Sequence, residues 1–282
     1  MHVLTQQDLA FWHENGYVIL RDAAPRGNVE AVVDIIWEFM EMDRHDPETW
    51  YRTGNGDDGL PRLKESGMAE LYQHQALWDN RQHPRVYGAF ADIWETEKLW
   101  VSIDRVNLNP PARPDWDFQG FVHWDIDTSQ RPVPLRVQGV LSLADVPEDA
   151  GGLQVVPGFH RRFAHWVETQ PPDRDPRMPD MTGLELTSLA MNAGDLVIWH
   201  SLLPHGTGRN NSTQPRLAQY ITMFPAQEDD DAARAERIRL WKERKSPEHK
   251  FFPGDPRRWE IEQGATAALT PLGEKLLGLR DW

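Results

Sequence analysis

The chain has no cysteine. Disulfides, iron–sulfur clusters and thiolate catalysis are therefore excluded, and the lack of disulfides suits a reducing compartment. No apolar run approaches the ~20 residues that cross a bilayer. The opening Met-His-Val-Leu-Thr-Gln-Gln-Asp lacks the basic-then-apolar order of a secretion signal, so a cytoplasmic protein off the membrane is expected. Positive charge is scarce: 30 Lys and Arg face 44 Asp and Glu, for a formal charge of -14. Such a surface repels phosphate backbones, which makes nucleic acid a poor partner and a small-molecule substrate the better expectation. Any anionic cosubstrate then needs a dedicated local cation. Nothing in the residue pattern specifies an oligomer.

What is present is an ordinary globular composition, with 39% hydrophobic and 26% charged residues over 282 positions. Thirteen tryptophans are available to fill core or line apolar pockets. With no repeat and no convincing linker, one domain covering residues 1–282 is the simplest organisation.

The first part, residues 1–97, reads as mainly helical. Thr5 caps a helix that Gly16 ends, residues 17–20 form a short strand, and Asn28 begins a second helix with Val29, Val32, Val33, Ile36 and Phe39 at helical spacing. Residues 43–66 are a polar loop, a lid candidate by length and composition. Helices are expected over about 68–80 and 84–96. From residue 98 to 225 the chain turns to short strands broken by Gly and Pro: 99–108, 116–127, 135–143, 153–156, 184–191, 196–199 and 216–224. Residues 161–179 read as a Pro- and charge-rich excursion without periodicity. Residues 226–282 return to helix, with Ile238 and Trp241 as anchors and a last helix at Thr270-Pro271. The fold class is mainly β with flanking α-helices, the strands closing into a sandwich or barrel.

Within the strand region lies Phe121-Val122-His123-Trp124-Asp125-Ile126-Asp127. On a strand, residues two apart share a face, so His123 and Asp125 project together and Trp124 points away. An imidazole and a carboxylate, joined by a second histidine, make the triad of non-haem Fe(II) oxygenases. His160, His165, His200 and His205 are available as that histidine. His200 ends an apolar strand and His205 lies in a Gly-flanked turn, and on residue chemistry both qualify. Arg216, eleven residues after His205, can grip a carboxylate through two parallel hydrogen bonds.

His123-Trp124-Asp125, Gly151-Gly152-Leu153-Gln154-Val155-Val156-Pro157-Gly158-Phe159-His160, Gly194-Asp195 through His200, Pro204-His205-Gly206 and Arg216 together resemble the phytanoyl-CoA dioxygenase family. The opening 11–20 and the tail Leu269-Thr270-Pro271-Leu272-Gly273 are similar to that family as well. The resemblance implies a double-stranded β-helix, a jelly roll of cupin type. It implies Fe(II), 2-oxoglutarate and O2 as cofactor and cosubstrates. His123, Asp125 and His205 are the implied iron ligands, Arg216 the implied partner of the distal 2-oxoglutarate carboxylate, and Thr207 a hydroxyl beside it. Gln138 and Asn107 sit on strands that could line the same pocket. His200 and His160 become supporting residues. Phe159 stands where the family commonly has Ser.

The implied reaction couples decarboxylation of 2-oxoglutarate, to succinate and CO2, to hydroxylation of a C–H bond. Related halogenases lack the carboxylate found here as Asp125. Histidine ligands must be neutral, so activity should fall as pH drops through the histidine range. Arg105, Trp116 and Phe118 lie near the motif in sequence and are substrate-contact candidates; Arg161 and Arg162 could meet an acidic group. Two other readings compete: a cupin-type metal enzyme that does not use 2-oxoglutarate, and a catalytically silent barrel that binds a ligand or partner.

Overall fold

The computed structural model describes residues 3–52 and 61–282. Its elements begin with α1 (Gln6–Asn15), β1 (Tyr17–Leu20), α2 (Arg26–Met40), α3 (Pro61–Ser66), β2 (Met68–Ala69), α4 (Gln75–Arg81) and α5 (Pro84–Trp94). Then come β3 (Leu99–Val101), β4 (Val106–Asn109), β5 (Val137–Ser142), β6 (Leu153–Val155), α6 (Phe159–Glu168), β7 (Thr187–Ser188) and β8 (Leu196–His200). β9 (His205–Thr207), β10 (Arg216–Tyr220), β11 (Met223–Pro225), α7 (Asp231–Glu243), α8 (Trp259–Gln263) and α9 (Pro271–Leu277) complete the chain.

α1 is set by a capping box, in which Thr5 and Asp8 satisfy each other's backbone N–H groups, and Gly16 ends it in the left-handed region at φ 76°. The strands form antiparallel sheets. The main sheet runs β1-β8-β5-β10-β4-β2, the smaller one β7-β6-β9, and β11 pairs with β3. Alternation gives the main sheet two working faces. Leu108, Leu141, Ile198 and Leu217 point outward into a core shared with α2, α4 and α5. Val140, Val197, Trp199 and Ala218 point inward, against Leu153 and Val155 of the smaller sheet and Phe159 and Phe163 of α6. The site lies on this inner side. None of the described helices is long and apolar enough to cross a membrane.

Several elements differ from the sequence pattern. The expected 99–108 strand splits into β3 and β4, and 216–224 splits into β10 and β11. The two breaks meet, Ser102 N–H donating to the Thr222 carbonyl at 2.8 Å, so the chain leaves the main sheet twice at one place. Residues 68–69 are strand because they pair with β4, and the helix begins only at Gln75. The 161–179 stretch opens within α6, whose Phe159, Phe163, Trp166 and Val167 keep helical spacing. Only Thr187–Ser188 of the 184–191 stretch is strand. Of the lid candidate, residues 53–60 lie outside the described residues.

Candidate metal centre

Residues 121–127 are not a regular strand. The segment touches β9 through a single bridge: His123 N–H donates to the His205 carbonyl at 2.9 Å and His205 N–H to the His123 carbonyl at 3.1 Å. Two glycines permit the approach. A Cβ on Gly206 would sit 2.2 Å from the Phe121 carbonyl oxygen, and one on Gly120 would sit 1.9 Å from that of Thr207. His123 and Asp125 nonetheless project together and Trp124 away from them.

One donor atom from each of His123, Asp125 and His205 lies within 4.8 Å of the other two. His205 Nε2 is 3.2 Å from Asp125 Oδ2, and His123 Nε2 is 3.5 Å from Asp125 Oδ1. Metal–ligand bonds of ~2.1 Å put neighbouring donor atoms about 3 Å apart, so the three groups fit one ion. The orientation of His205 is fixed from behind. Its Nδ1 lies 2.9 Å from the Leu203 carbonyl and must carry the proton to bond it, which leaves the Nε2 lone pair for a metal. Two imidazoles and a carboxylate suit Fe(II).

Asp125 is braced as well. Gln138, on β5, donates its amide to Asp125 Oδ2. Arg177 donates to the Asp125 carbonyl oxygen, and the Trp124 N–H bonds the Arg177 carbonyl at 2.8 Å. Desolvation pushes the Asp125 carboxyl up, but the adjoining His123 and His205 imidazoles hold it well below the usual carboxylate range. Among the described residues, two buried polar atoms here, His123 Nδ1 and Gln138 Oε1, have no hydrogen-bond partner.

Trp124 fixes the segment from its other face. The buried ring meets Phe159, Phe163 and Trp166 of α6, with centroids 5.5–6.0 Å apart, so Phe159 has a packing role.

Arg216 opens β10 with its side chain on the inner face, opposite Leu217. It is buried at 4% exposure. Among the described residues its hydrogen-bond partner is neutral: Nη1 donates to Asn107 Oδ1 at 2.8 Å. Asn107 in turn donates to the Ser66 carbonyl at 2.9 Å. Thr207 stands two residues from His205 on β9 and so shares its face of the strand.

His200 faces His160, ring centroids 5.1 Å apart, and its Nδ1 accepts the Leu202 N–H. Arg105 is buried in an ion pair with Glu70 at 2.8 Å and lies over the Phe252 ring. Trp116 is buried against Tyr51. Phe118 is half-buried and Arg161 and Arg162 are exposed. The residues that sequence reading passed over are Arg177, which carries no local signal, and Leu203, which acts only through its backbone.

The chain is similar to known proteins. A phytanoyl-CoA dioxygenase family model matches residues 12–218. Ava biosynthesis cluster protein O of Aspergillus versicolor is 27% identical over 239 residues, covering 76% of each chain. Among solved structures, hypothetical protein JW0805 from Escherichia coli superposes with a TM-score of 0.73 at 18% identity, covering 98% of this chain and 82% of that one. The epimerase SnoN, solved with Fe3+, alpha ketoglutarate and nogalamycin RO, gives a TM-score of 0.55 at 18% identity over 78% of this chain and 83% of that one.

Proposed function

Because the chain belongs to the phytanoyl-CoA dioxygenase family, we propose that it is an Fe(II)- and 2-oxoglutarate-dependent dioxygenase that hydroxylates a C–H bond of a small molecule. In this reading the paired sheets are a double-stranded β-helix with the iron at its inner face. His123, Asp125 and His205 would hold Fe(II).

The observation that carries the cosubstrate is Arg216. A buried guanidinium with only neutral partners among the described residues is costly unless an anion joins it. In a chain of charge -14 this cation is poised for the distal carboxylate of 2-oxoglutarate, with the Thr207 hydroxyl beside it. Asn107 aims Arg216, and Gln138 aims the Asp125 carboxylate. Bound iron would use O2 as the oxidant, one oxygen atom going to succinate as 2-oxoglutarate loses CO2 and the other to the substrate C–H bond; the protein contributes orientation. A small-molecule substrate is supported by the relatives named for a biosynthetic cluster and for a nogalamycin complex.

An anaerobic titration of metal-free protein with Fe(II) and then 2-oxoglutarate tests the reading. A weak visible charge-transfer band is expected with wild type and is lost in Arg216→Ala. Iron binding without the band would favour the cupin-type enzyme. No iron binding would leave the silent barrel.

A further inference from the structure

We propose that the substrate of this centre has a flat apolar body, aromatic or alicyclic, which stacks on the ring of Phe121 beside the metal; this rests on the dioxygenase reading above. Phe121 is 53% exposed, yet its ring lies 4.6 Å from that of the ligand His123, tilted by 32°. An exposed phenyl ring against a metal ligand is an apolar surface at the place where a reacting C–H bond must be held.

The backbone that carries the ring is closely held. The Phe121 carbonyl lies so close to Gly206 that no Cβ fits between them, and Gly120 before it has φ +72°. The Phe121 main chain is therefore held beside the bridge that brings His123 to His205. A surface fixed in advance loses little freedom when a ligand covers it.

Phe121 is not isolated in kind. Exposed large apolar side chains scattered singly need no explanation. Here Phe121, Leu135 and Met178, at 53%, 55% and 45% exposure, all stand on segments tied to the ligands. Leu135 precedes by three residues Gln138, whose amide bonds Asp125. Met178 follows Arg177, whose guanidinium bonds the Asp125 carbonyl. Aromatic and alicyclic faces are the chemistry that such side chains recognise, by offset stacking and by removing apolar area from water. A free amino acid or a sugar would gain little there.

The test places probes near the metal. Mn(II)-loaded protein is mixed with 2-naphthol or L-proline and proton relaxation is measured, with the Zn(II)-loaded protein as diamagnetic reference. The naphthol protons should relax faster with Mn(II) in wild type, and L-proline should not. Phe121→Ser should cut the naphthol effect about tenfold, and Phe121→Trp should keep it. Electron paramagnetic resonance should show Mn(II) bound equally by all three proteins, since Phe121 supplies no ligand. No Mn(II)-dependent relaxation of naphthol, an undiminished effect in Phe121→Ser, or stronger relaxation of L-proline would each overturn the proposal. So would loss of Mn(II) from Phe121→Ser, which would make the ring a support for the metal instead. Failure of wild type to bind Mn(II) at all would instead bring down the metal-centre reading beneath it.

Discussion

Trp124 Nε1 donates to the carbonyl oxygen of Leu202 at 2.9 Å. The next carbonyl along, that of Leu203, takes Nδ1 of His205. One turn between β8 and β9 thus anchors the residue between two proposed ligands and also orients the third. Local packing and metal geometry are coupled at this point.

Trp124→Ala should therefore damage both. Removing a buried indole from the cluster with Phe159, Phe163 and Trp166 costs about 3–5 kcal/mol. Trp124→Phe keeps the ring packing and loses the one hydrogen bond, at about 1 kcal/mol. Denaturant unfolding and Fe(II) titration of both variants would check this. Metal affinity should fall for Ala far more than for Phe.

Arg177 should separate metal binding from stability. It is exposed, so its replacement removes little packing, and substitutions at such positions usually stay within about 0.5 kcal/mol. Its guanidinium nevertheless holds the Asp125 carbonyl. Arg177→Ala should weaken Fe(II) binding about tenfold with a nearly unchanged melting temperature. A large stability loss with unaltered metal affinity would count against a positioning role.

Arg216 carries the cosubstrate prediction. Arg216→Ala should keep Fe(II), because no atom of Arg216 belongs to the triad. It should lose 2-oxoglutarate affinity by about a hundredfold or more, the usual scale for a buried charge-assisted pair. A ligand that binds only the native state raises its melting temperature. Differential scanning fluorimetry should then show a 2-oxoglutarate shift in wild type and none in Arg216→Ala.

The His-x-Asp pair could be read from the sequence because spacing alone brings the two groups to one side. In the structure the segment is an irregular crossing held by one bridge and not the strand that the spacing predicts, yet the two groups still face one side. The third histidine was not separable from residue chemistry. His200 and His205 both end or follow an apolar strand, and what distinguishes them is spatial: His205 Nε2 lies 3.2 Å from Asp125 Oδ2, whereas His200 lies against the His160 ring. α6 was missed because its apolar residues begin at Phe159, ahead of the charged stretch that hides their period. Arg177 was beyond reach, for its bond to Asp125 spans 52 residues and leaves no local pattern.

His200 gives the last prediction, and it concerns acid. Burial, with a smaller contribution from the neighbouring His160, pushes the His200 imidazole down to about 4 from its ordinary 6.5. Between those values the unfolded chain binds a proton at this site and the folded chain does not. Stability therefore rises with pH across that window. Its contribution is complete above 6.5 and is lost as pH falls towards 4, on the order of 3 kcal/mol from this one group. His200→Asn has no proton to bind, and its amide oxygen can still accept the Leu202 N–H. Denaturant unfolding of metal-free protein between pH 4 and 6.5 should show a shallower acid loss for His200→Asn than for wild type. At neutral pH the same variant should bind Fe(II) like wild type, and His205→Asn should not. If His200→Asn lost the metal while His205→Asn kept it, the third ligand would be His200, and the orientation argument from Leu203 would fail with it.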